Sequence, residues 1–223
     1  MEPAARTRVK ICGITRVGDA LAAAHAGADA IGLVFWPGTP RRVEYALARA
    51  IAAALPPFVA TVGLFVDPEA EAVRAALDAV ALDILQFHGD EPQALCAGFG
   101  RPYVKAVPVR PGVDLLQYAA RYHDARGLLF DAFESGGMPG GTGRTFDWNA
   151  LASRLAPGLA RPLVLSGGLT PHNVGDAIRA LRPWAVDVSS GVEAAGDDGM
   201  PRRGIKDAAR IAAFIRGVRN ADG

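Results

Sequence analysis

Short apolar runs alternate along this chain with alanine-rich segments whose apolar residues recur at helical spacing. Most of the short runs are apolar on both faces, which is typical of buried parallel strands. The alternation recurs eight times, and the predicted strands are residues 8–14, 30–35, 59–65, 84–88, 103–109, 127–131, 163–166 and 185–189. The pattern therefore predicts a succession of βα units.

The segments between these strands carry helix start and stop signals. A helix predicted over 18–26 ends at Gly27, and a proline follows a capping residue at Asp67-Pro68 and at Thr170-Pro171. The last helix is predicted over about 206–216. The other predicted helices begin near residues 44, 91, 112 and 147.

Eight βα units in 223 residues leave almost no room for a second domain. Their number is that of a (β/α)8 barrel near its minimum size. An open doubly wound sheet is the alternative, but it more often carries G-x-G-x-x-G after its first strand, whereas residues 12–16 are CGITR. We therefore predict an α/β fold, a TIM barrel that forms one domain over 1–223, with short flexible ends at about 1–6 and 218–223.

Composition narrows the expected partners and compartment. The net charge of +1 gives no general field that would attract nucleic acid or an anionic membrane. Cys12 and Cys96 belong to no CxxC pair or zinc-spaced cluster, so we predict neither a disulfide framework nor a metal site. No segment approaches the roughly 20 apolar residues of a membrane span, and the N-terminus lacks the apolar core of a signal peptide. We expect a cytoplasmic protein without nucleic-acid or membrane partners.

In a barrel of this kind, polar residues at the carboxyl ends of the strands mark the working face. The first predicted strand leads to Cys12, the fourth to His88 and the sixth to Asp131, while Arg41 follows the second. An acid at the end of an apolar strand is costly to bury without a purpose. Cys12 and Asp131 are therefore candidate reactive groups, with a buried core cysteine and a loop cap as the alternatives.

Glycine and serine end the last two predicted strands, at Ser166-Gly167-Gly168 and at Ser189-Ser190-Gly191. Glycines let backbone N–H groups approach an anion, and the loops after strands seven and eight are the usual phosphate position in this fold. Either stretch alone is more simply an ordinary turn. Two such stretches at equivalent places favour a phosphate site.

The longest predicted loop follows Asp131 and is rich in glycine over residues 135–146. A loop of this length is usually functional or disordered. One expectation is that it folds over a ligand, so that the amides of Gly141, Thr142 and Gly143 bind phosphate. A surface insertion without such a role is the other.

Together these motifs resemble the phosphoribosylanthranilate isomerase family of tryptophan biosynthesis. The matching stretches run from the first strand to the last, and their order and spacing are specific only in combination. They are KICGIT at 10–15, GADAIGLVF at 27–35, PRR at 40–42, QFHG at 86–89, GGTGRTFDW at 140–148, LSGGL at 165–169 and VDVSSGVE at 186–193.

The resemblance implies an Amadori rearrangement of a small sugar-phosphate substrate, without cofactor or metal. It implies that Cys12 is the general base and Asp131 the general acid. Arg41 resembles the family's arginine that contacts anthranilate, and a guanidinium suits a bidentate grip on a carboxylate. His88 is expected to have at most a minor role on the substrate side. We expect the chain to act as a monomer or homodimer.

Strand positions in a closed barrel agree with these roles, because strands one and six lie three steps apart, with strands eight and seven between them. Acid and base would then face each other across the mouth. Lys10 shares a strand face with Cys12, and Asp187 points the same way on the neighbouring eighth strand. We expect an internal Lys10–Asp187 ion pair, while electrostatic help for the Cys12 thiolate is the competing role for Lys10.

Two other functions remain open from the sequence. An aldose–ketose isomerase of histidine biosynthesis performs the same rearrangement on another substrate, but such enzymes resemble a two-aspartate mechanism. Cysteine at the end of strand one argues against it. A catalytically silent phosphate-binding barrel is the third hypothesis, and the presence of both candidate reactive groups argues against that one.

Overall fold

A computed structural model describes residues 6–109, 112–131, 147–155, 158–196 and 199–223. Eight parallel strands close into a barrel in the order β1 to β8, which confirms the predicted fold. The strands are β1 (Arg8–Cys12), β2 (Ala30–Val34), β3 (Ala60–Phe65), β4 (Ile84–Phe87), β5 (Tyr103–Pro108), β6 (Gly127–Asp131), β7 (Leu163–Ser166) and β8 (Ala185–Val188).

Helices follow the strands and pack around them. Those that begin after an aspartate have a clear local cause, since the Asp114 side chain accepts hydrogen bonds from the N–H groups of Leu116 and Gln117. The helices are α1 (Val17–Ala26), α2 (Tyr45–Ala54), α3 (Ala70–Ala79), α4 (Gln93–Ala97), α5 (Leu115–Arg121), α6 (Trp148–Leu155), α7 (Val174–Leu181) and α8 (Ala208–Asp222).

Closure of the barrel places the first and last strands side by side. β1 pairs with β8 in a register that sets Lys10 opposite Asp187, and with β2 in a register that sets Cys12 opposite Gly32. On the far side, Asp131 at the end of β6 pairs with Ser166 on β7. The register therefore brings charged and reactive residues to one end of a barrel whose strands are otherwise mostly apolar.

Several helix boundaries differ from the sequence prediction. α3 begins at Ala70 and α7 at Val174, so Pro68 and Pro171 precede these helices and do not open them. α8 begins at Ala208 and continues to Asp222, whose carboxylate accepts hydrogen bonds from the backbone N–H and the hydroxyl of Thr7. Residues 218–222 therefore belong to this helix, and the flexible end expected at 218–223 stays a prediction.

A two-stranded antiparallel hairpin between β8 and α8 was not predicted from the sequence. Its strands are β9 (Glu193–Ala195) and β10 (Pro201–Lys206). Thr15, in the loop after β1, donates a hydrogen bond to the carbonyl of Gly204 in this hairpin. The hairpin therefore lies against the mouth of the barrel beside β1.

Candidate active site

Cys12 lies at the mouth end of β1 and is only 6% exposed. Its sulfur packs among Val34 and Leu64 inside the barrel. The partner on β2 is Gly32, and a Cβ at that position would lie 2.7 Å from the Cys12 Sγ. Glycine is required at this close approach because a side chain there would occupy the space of the thiol.

A buried ion pair lies directly below Cys12. The Lys10 ammonium donates to Asp187 Oδ1 over 2.9 Å, and both residues are buried. The ion pair predicted from strand parity is therefore confirmed. Burial opposes the positive charge, but Asp187 and Cys12 together raise the pKa of Lys10 above its usual value. Lys10 is thus a persistent cation inside the barrel.

Asp131 ends β6 and meets His88 from the loop after β4. His88 Nε2 lies 3.0 Å from Asp131 Oδ2, and His88 Nδ1 lies 3.0 Å from the amide nitrogen of Gln86. With the Gln86 amide nitrogen as donor, Nδ1 accepts and Nε2 faces Asp131 as the donor. Both members of the His88–Asp131 pair keep about a quarter of their side chains exposed, at 28% and 26%. The sequence did not predict this contact.

The loop that carries His88 is fixed by a second buried ion pair. Lys105 Nζ lies 3.1 Å from Glu91 Oε2, and both side chains are fully buried. Glu91 also accepts hydrogen bonds from the backbone N–H groups of Gly89 and Asp67. These contacts fix Gly89 to the buried Glu91–Lys105 pair, so they orient the imidazole of His88 toward Asp131. Neither Glu91 nor Lys105 was recognised from the sequence, because each occupies an unremarkable position along the chain.

Arg41 is held by a carboxylate that the sequence analysis missed. Its Nε and Nη2 donate to Glu193 Oε1 and Oε2 over 2.7 and 2.8 Å. Lys206 Nζ lies 3.3 Å from the same Oε1, and the Glu193 side chain has no exposed surface. A Cβ built on Gly13 would lie 2.7 Å from Arg41 Cδ, so Arg41 extends over the residue that follows Cys12. Arg42 instead points to Glu44, at 3.1 Å.

Glu193 makes the mouth sensitive to acid. Burial opposes its ionisation, yet Arg41, Lys206 and the Gly204 N–H lower the pKa of this carboxyl below its usual range. Such a group stabilises the fold above the unfolded-state pKa of about 4.3, and this contribution is lost as the pH falls through the lower folded value.

We expect the free energy of unfolding to fall between about pH 4.3 and pH 3 less steeply in Glu193→Gln than in the unsubstituted chain. Urea titrations over this pH range measure the difference in slope. Glu44→Gln is the matched control, because the Glu44 side chain is 74% exposed and its slope should not change. Identical slopes in the Glu193 variant and the unsubstituted chain would contradict the prediction.

The two glycine–serine loops lie against each other at the mouth. A Cβ at Gly191 would overlap the backbone carbonyl of Leu169, so only glycine allows the loop after β8 to approach the loop after β7 so closely. Ser166, Gly167 and Gly168 thus adjoin Ser189, Ser190 and Gly191. Lys206 Nζ donates to the carbonyl and hydroxyl oxygens of Ser189 over 3.0 and 3.2 Å, which adds a cation beside the loops. Gly141, Thr142 and Gly143 lie outside the described residues.

Two further structural features are absent from the described part of the chain. It contains no group of three or more His, Cys, Asp or Glu side chains placed to hold a metal ion. None of its helices has the length and apolar character needed to span a bilayer.

Comparisons with known proteins agree with this geometry. The family model described as N-(5'phosphoribosyl)anthranilate (PRA) isomerase matches residues 9–217. An N-(5'-phosphoribosyl)anthranilate isomerase of Nitrosospira multiformis is 55% identical over 211 residues, covering 95% of this chain and 96% of its own.

Solved structures are similar along the same length. The phosphoribosyl anthranilate isomerase of Thermotoga maritima superimposes with a TM-score of 0.84 at 42% identity, over 96% of this chain and 99% of that one. Another phosphoribosyl anthranilate isomerase, in complex with reduced 1-(o-carboxyphenylamino)-1-deoxyribulose 5-phosphate, gives a TM-score of 0.80 at 40% identity with the same coverage.

Proposed function

Because the chain belongs to the N-(5'-phosphoribosyl)anthranilate isomerase family, we propose that Cys12 is its general base and Asp131 its general acid. The chain catalyses the Amadori rearrangement of N-(5-phospho-β-D-ribosyl)anthranilate to 1-(2-carboxyphenylamino)-1-deoxy-D-ribulose 5-phosphate in tryptophan biosynthesis. Ring opening needs a proton delivered to the furanose oxygen, and the tautomerisation that follows needs the proton on C2' removed, so the two steps call for one acid and one base.

In the first step, Asp131 delivers a proton to the furanose oxygen as the bond from that oxygen to C1' breaks. The anilino nitrogen supplies the electron pair that replaces this bond, so an iminium ion forms. The contact with His88 supports this role, because it holds Asp131 through Oδ2. Among the described residues no group is bonded to Oδ1, which leaves that oxygen for the substrate.

In the second step, Cys12 removes the proton on C2', which the cationic iminium has made acidic. The electron pair of the broken C–H bond forms the C1'–C2' double bond, and the nitrogen becomes neutral. The enol then takes a proton at C1' from water and gives the proton of its C2' hydroxyl to water, which yields the ketone. Exchange with water returns Cys12 to the thiolate and Asp131 to the acid. Only the ionised thiolate acts as the base, so its stability matters to the rate.

The relative position of Cys12 and Asp131 is the main observation that supports this proposal. Cys12 ends β1 and Asp131 ends β6, which lie three steps apart in the closed barrel with β8 and β7 between them. The loops that follow β7 and β8 offer backbone N–H groups and hydroxyls to a phosphate, and the buried Lys206 ammonium adds positive charge behind them. A sugar phosphate anchored there has its carbons between the acid and the base.

The substrate also carries a carboxylate on its aromatic ring, as does the compound bound to the related enzyme. Arg41 is the proposed partner of this group. Since Glu193 occupies Nε and Nη2 of the guanidinium, we propose that the substrate carboxylate binds at Nη1. His88 then acts through Asp131 and has no direct contact with the substrate.

Turnover of phosphoribosylanthranilate, followed by the loss of its fluorescence, tests the function directly. The purified chain should consume this compound and should not isomerise the aldose phosphate of histidine biosynthesis. The reverse preference would favour the histidine-pathway alternative, and phosphate binding without turnover of either compound would favour the silent barrel. We further propose that the enzyme is cytoplasmic and acts as a monomer or homodimer.

Arg41→Ala is expected to raise KM about tenfold or more while kcat changes much less, because a charged hydrogen bond is worth roughly 1.5–3 kcal/mol and acts on binding. Steady-state kinetics on phosphoribosylanthranilate measures both constants. Arg42→Ala is the matched control, since Arg42 pairs with the exposed Glu44 and its loss should leave KM unchanged. An unchanged KM in the Arg41 variant would count against the carboxylate contact.

A further inference from the structure

Two buried ammonium groups, those of Lys10 and Lys206, lie near Cys12. Lys10 precedes it by two positions on β1, and Lys206 comes from the end of β10 in the hairpin that follows β8. Each lysine is paired with a buried carboxylate, Lys10 with Asp187 at 2.9 Å and Lys206 with Glu193 at 3.3 Å. These two ion pairs place two buried positive charges near one thiol.

The Lys10 side chain shares the space beside Gly32 with the thiol. A Cβ at Gly32 would lie 2.7 Å from Cys12 Sγ and 3.1 Å from Lys10 Cε, so both side chains border the same opening. Lys10 therefore lies close enough to the sulfur for its charge to act on it, while its ammonium is bonded to Asp187.

Lys206 approaches the mouth end of β1 through Ser189. Its ammonium donates to the Ser189 hydroxyl over 3.2 Å, and that oxygen would lie 3.1 Å from a Cβ on Gly13, the residue after Cys12. Only the fold of the hairpin makes this approach possible, because Lys206 is far from Cys12 along the chain.

The charged groups around the thiol act in opposite directions. Burial raises the pKa of Cys12 and so disfavours the thiolate, and Asp187 adds to that rise. Lys10 opposes it most strongly, and Lys206 also opposes it. Arg41 and Glu193 are further charged groups near this end of β1, and they are bonded to each other.

We propose that Lys10 and Lys206 are positioning residues that stabilise the Cys12 thiolate, and that Asp187 limits how much of the Lys10 charge the sulfur experiences. The inference rests on the proposed role of Cys12 as the base. Asp187 and Cys12 both raise the pKa of Lys10, so its ammonium stays charged beside the thiolate, whereas burial lowers the pKa of Lys206 although Glu193 opposes that change. Each lysine then contributes positive charge beside the sulfur, and the carboxylate paired with that lysine reduces this contribution.

The rate of alkylation of Cys12 by iodoacetamide, measured from pH 5 to pH 10 by peptide mass spectrometry, reports the thiolate directly. At pH 7 we expect Lys10→Met to slow the reaction about tenfold or more and Lys206→Met to slow it less, whereas Asp187→Asn should accelerate it. Cys96 is the internal control in every sample, because it is fully buried and burial raises its pKa to about 12.

Single substitutions in a buried ion pair leave one charge without a partner and therefore destabilise the fold. The double variant Lys10→Met/Asp187→Asn avoids this. Because Lys10 acts on Cys12 more strongly than Asp187 does, alkylation in the double variant should be slower than in the unsubstituted chain. A rate equal to or faster than that of the unsubstituted chain would overturn the proposal, as would slower alkylation in a folded Asp187→Asn variant.

The pH dependence of kcat/KM separates this inference from the proposed function. If Cys12 is the base, the acid limb of that profile should move together with the midpoint of alkylation in each variant. Alkylation midpoints that shift as expected while the kinetic profile stays fixed would reject Cys12 as the base and leave the stabilised thiolate standing. A lower melting temperature with unshifted midpoints would reduce both lysines to structural roles and overturn the inference.

Discussion

Cys12→Ser is expected to lower kcat by about 10²–10⁴-fold, the usual contribution of a general base. The serine hydroxyl occupies nearly the same volume as the thiol, so the space beside Gly32 and the packing in the barrel remain. What changes is the proton affinity: a hydroxyl is not ionised near neutral pH, even with Lys10 at its side. The loss therefore falls on the chemical step.

Steady-state fluorescence kinetics and a thermal melt of the same sample measure this effect. KM should stay within about threefold of its original value, because the phosphate loops and Arg41 are unchanged. Cys96→Ser is the matched control, since Cys96 is buried in α4 away from the mouth; it should lower the melting temperature and leave kcat nearly intact. Full activity of Cys12→Ser would refute the assignment of the base.

Asp131→Asn is expected to lower kcat by a similar factor of about 10²–10⁴, because an amide has no acidic proton to give to the furanose oxygen. Asparagine has the same shape as aspartate, and its carbonyl oxygen can still accept from His88. Binding and folding should therefore survive, so that kcat and kcat/KM fall together.

A comparison of Asp131→Asn with His88→Ala locates the acid. If His88 only positions Asp131, its removal should cost kcat about tenfold, well below the effect of Asp131→Asn. The melting temperatures of both variants check that the barrel is folded. A larger loss in His88→Ala than in Asp131→Asn would transfer the role of the acid to the imidazole.

The barrel was predictable because each strand is a short apolar run that stands out from its neighbours. β6 and β7 begin and end where the pattern placed them, and the other strands differ by one or two residues at their ends. The alternation of side chains between the two faces of β1 and β8 was also sufficient to predict the Lys10–Asp187 pair. Inward-facing residues on neighbouring parallel strands have few possible partners.

The contacts that complete the site were not predictable in this way. Glu193 and Arg41 are 152 positions apart along the chain, and no periodicity links them. The hairpin that carries Lys206 has one strand of three residues, and its other strand contains Arg202-Arg203-Gly204, which resembles a loop. Tertiary contacts with the loops after β1 and β2 determine its place, and a single sequence does not reveal them.

The missing side chain at Gly32 links the choice of base to the neighbouring strand. Any residue larger than glycine there would collide with the Cys12 sulfur, the Cys12 Cα and the Lys10 side chain. A larger base at position 12, such as a carboxylate side chain, would have to occupy the same space beside Gly32. The side chains at positions 10, 12 and 32 therefore share one space. Replacing the base at position 12 requires compatible residues at positions 10 and 32 as well.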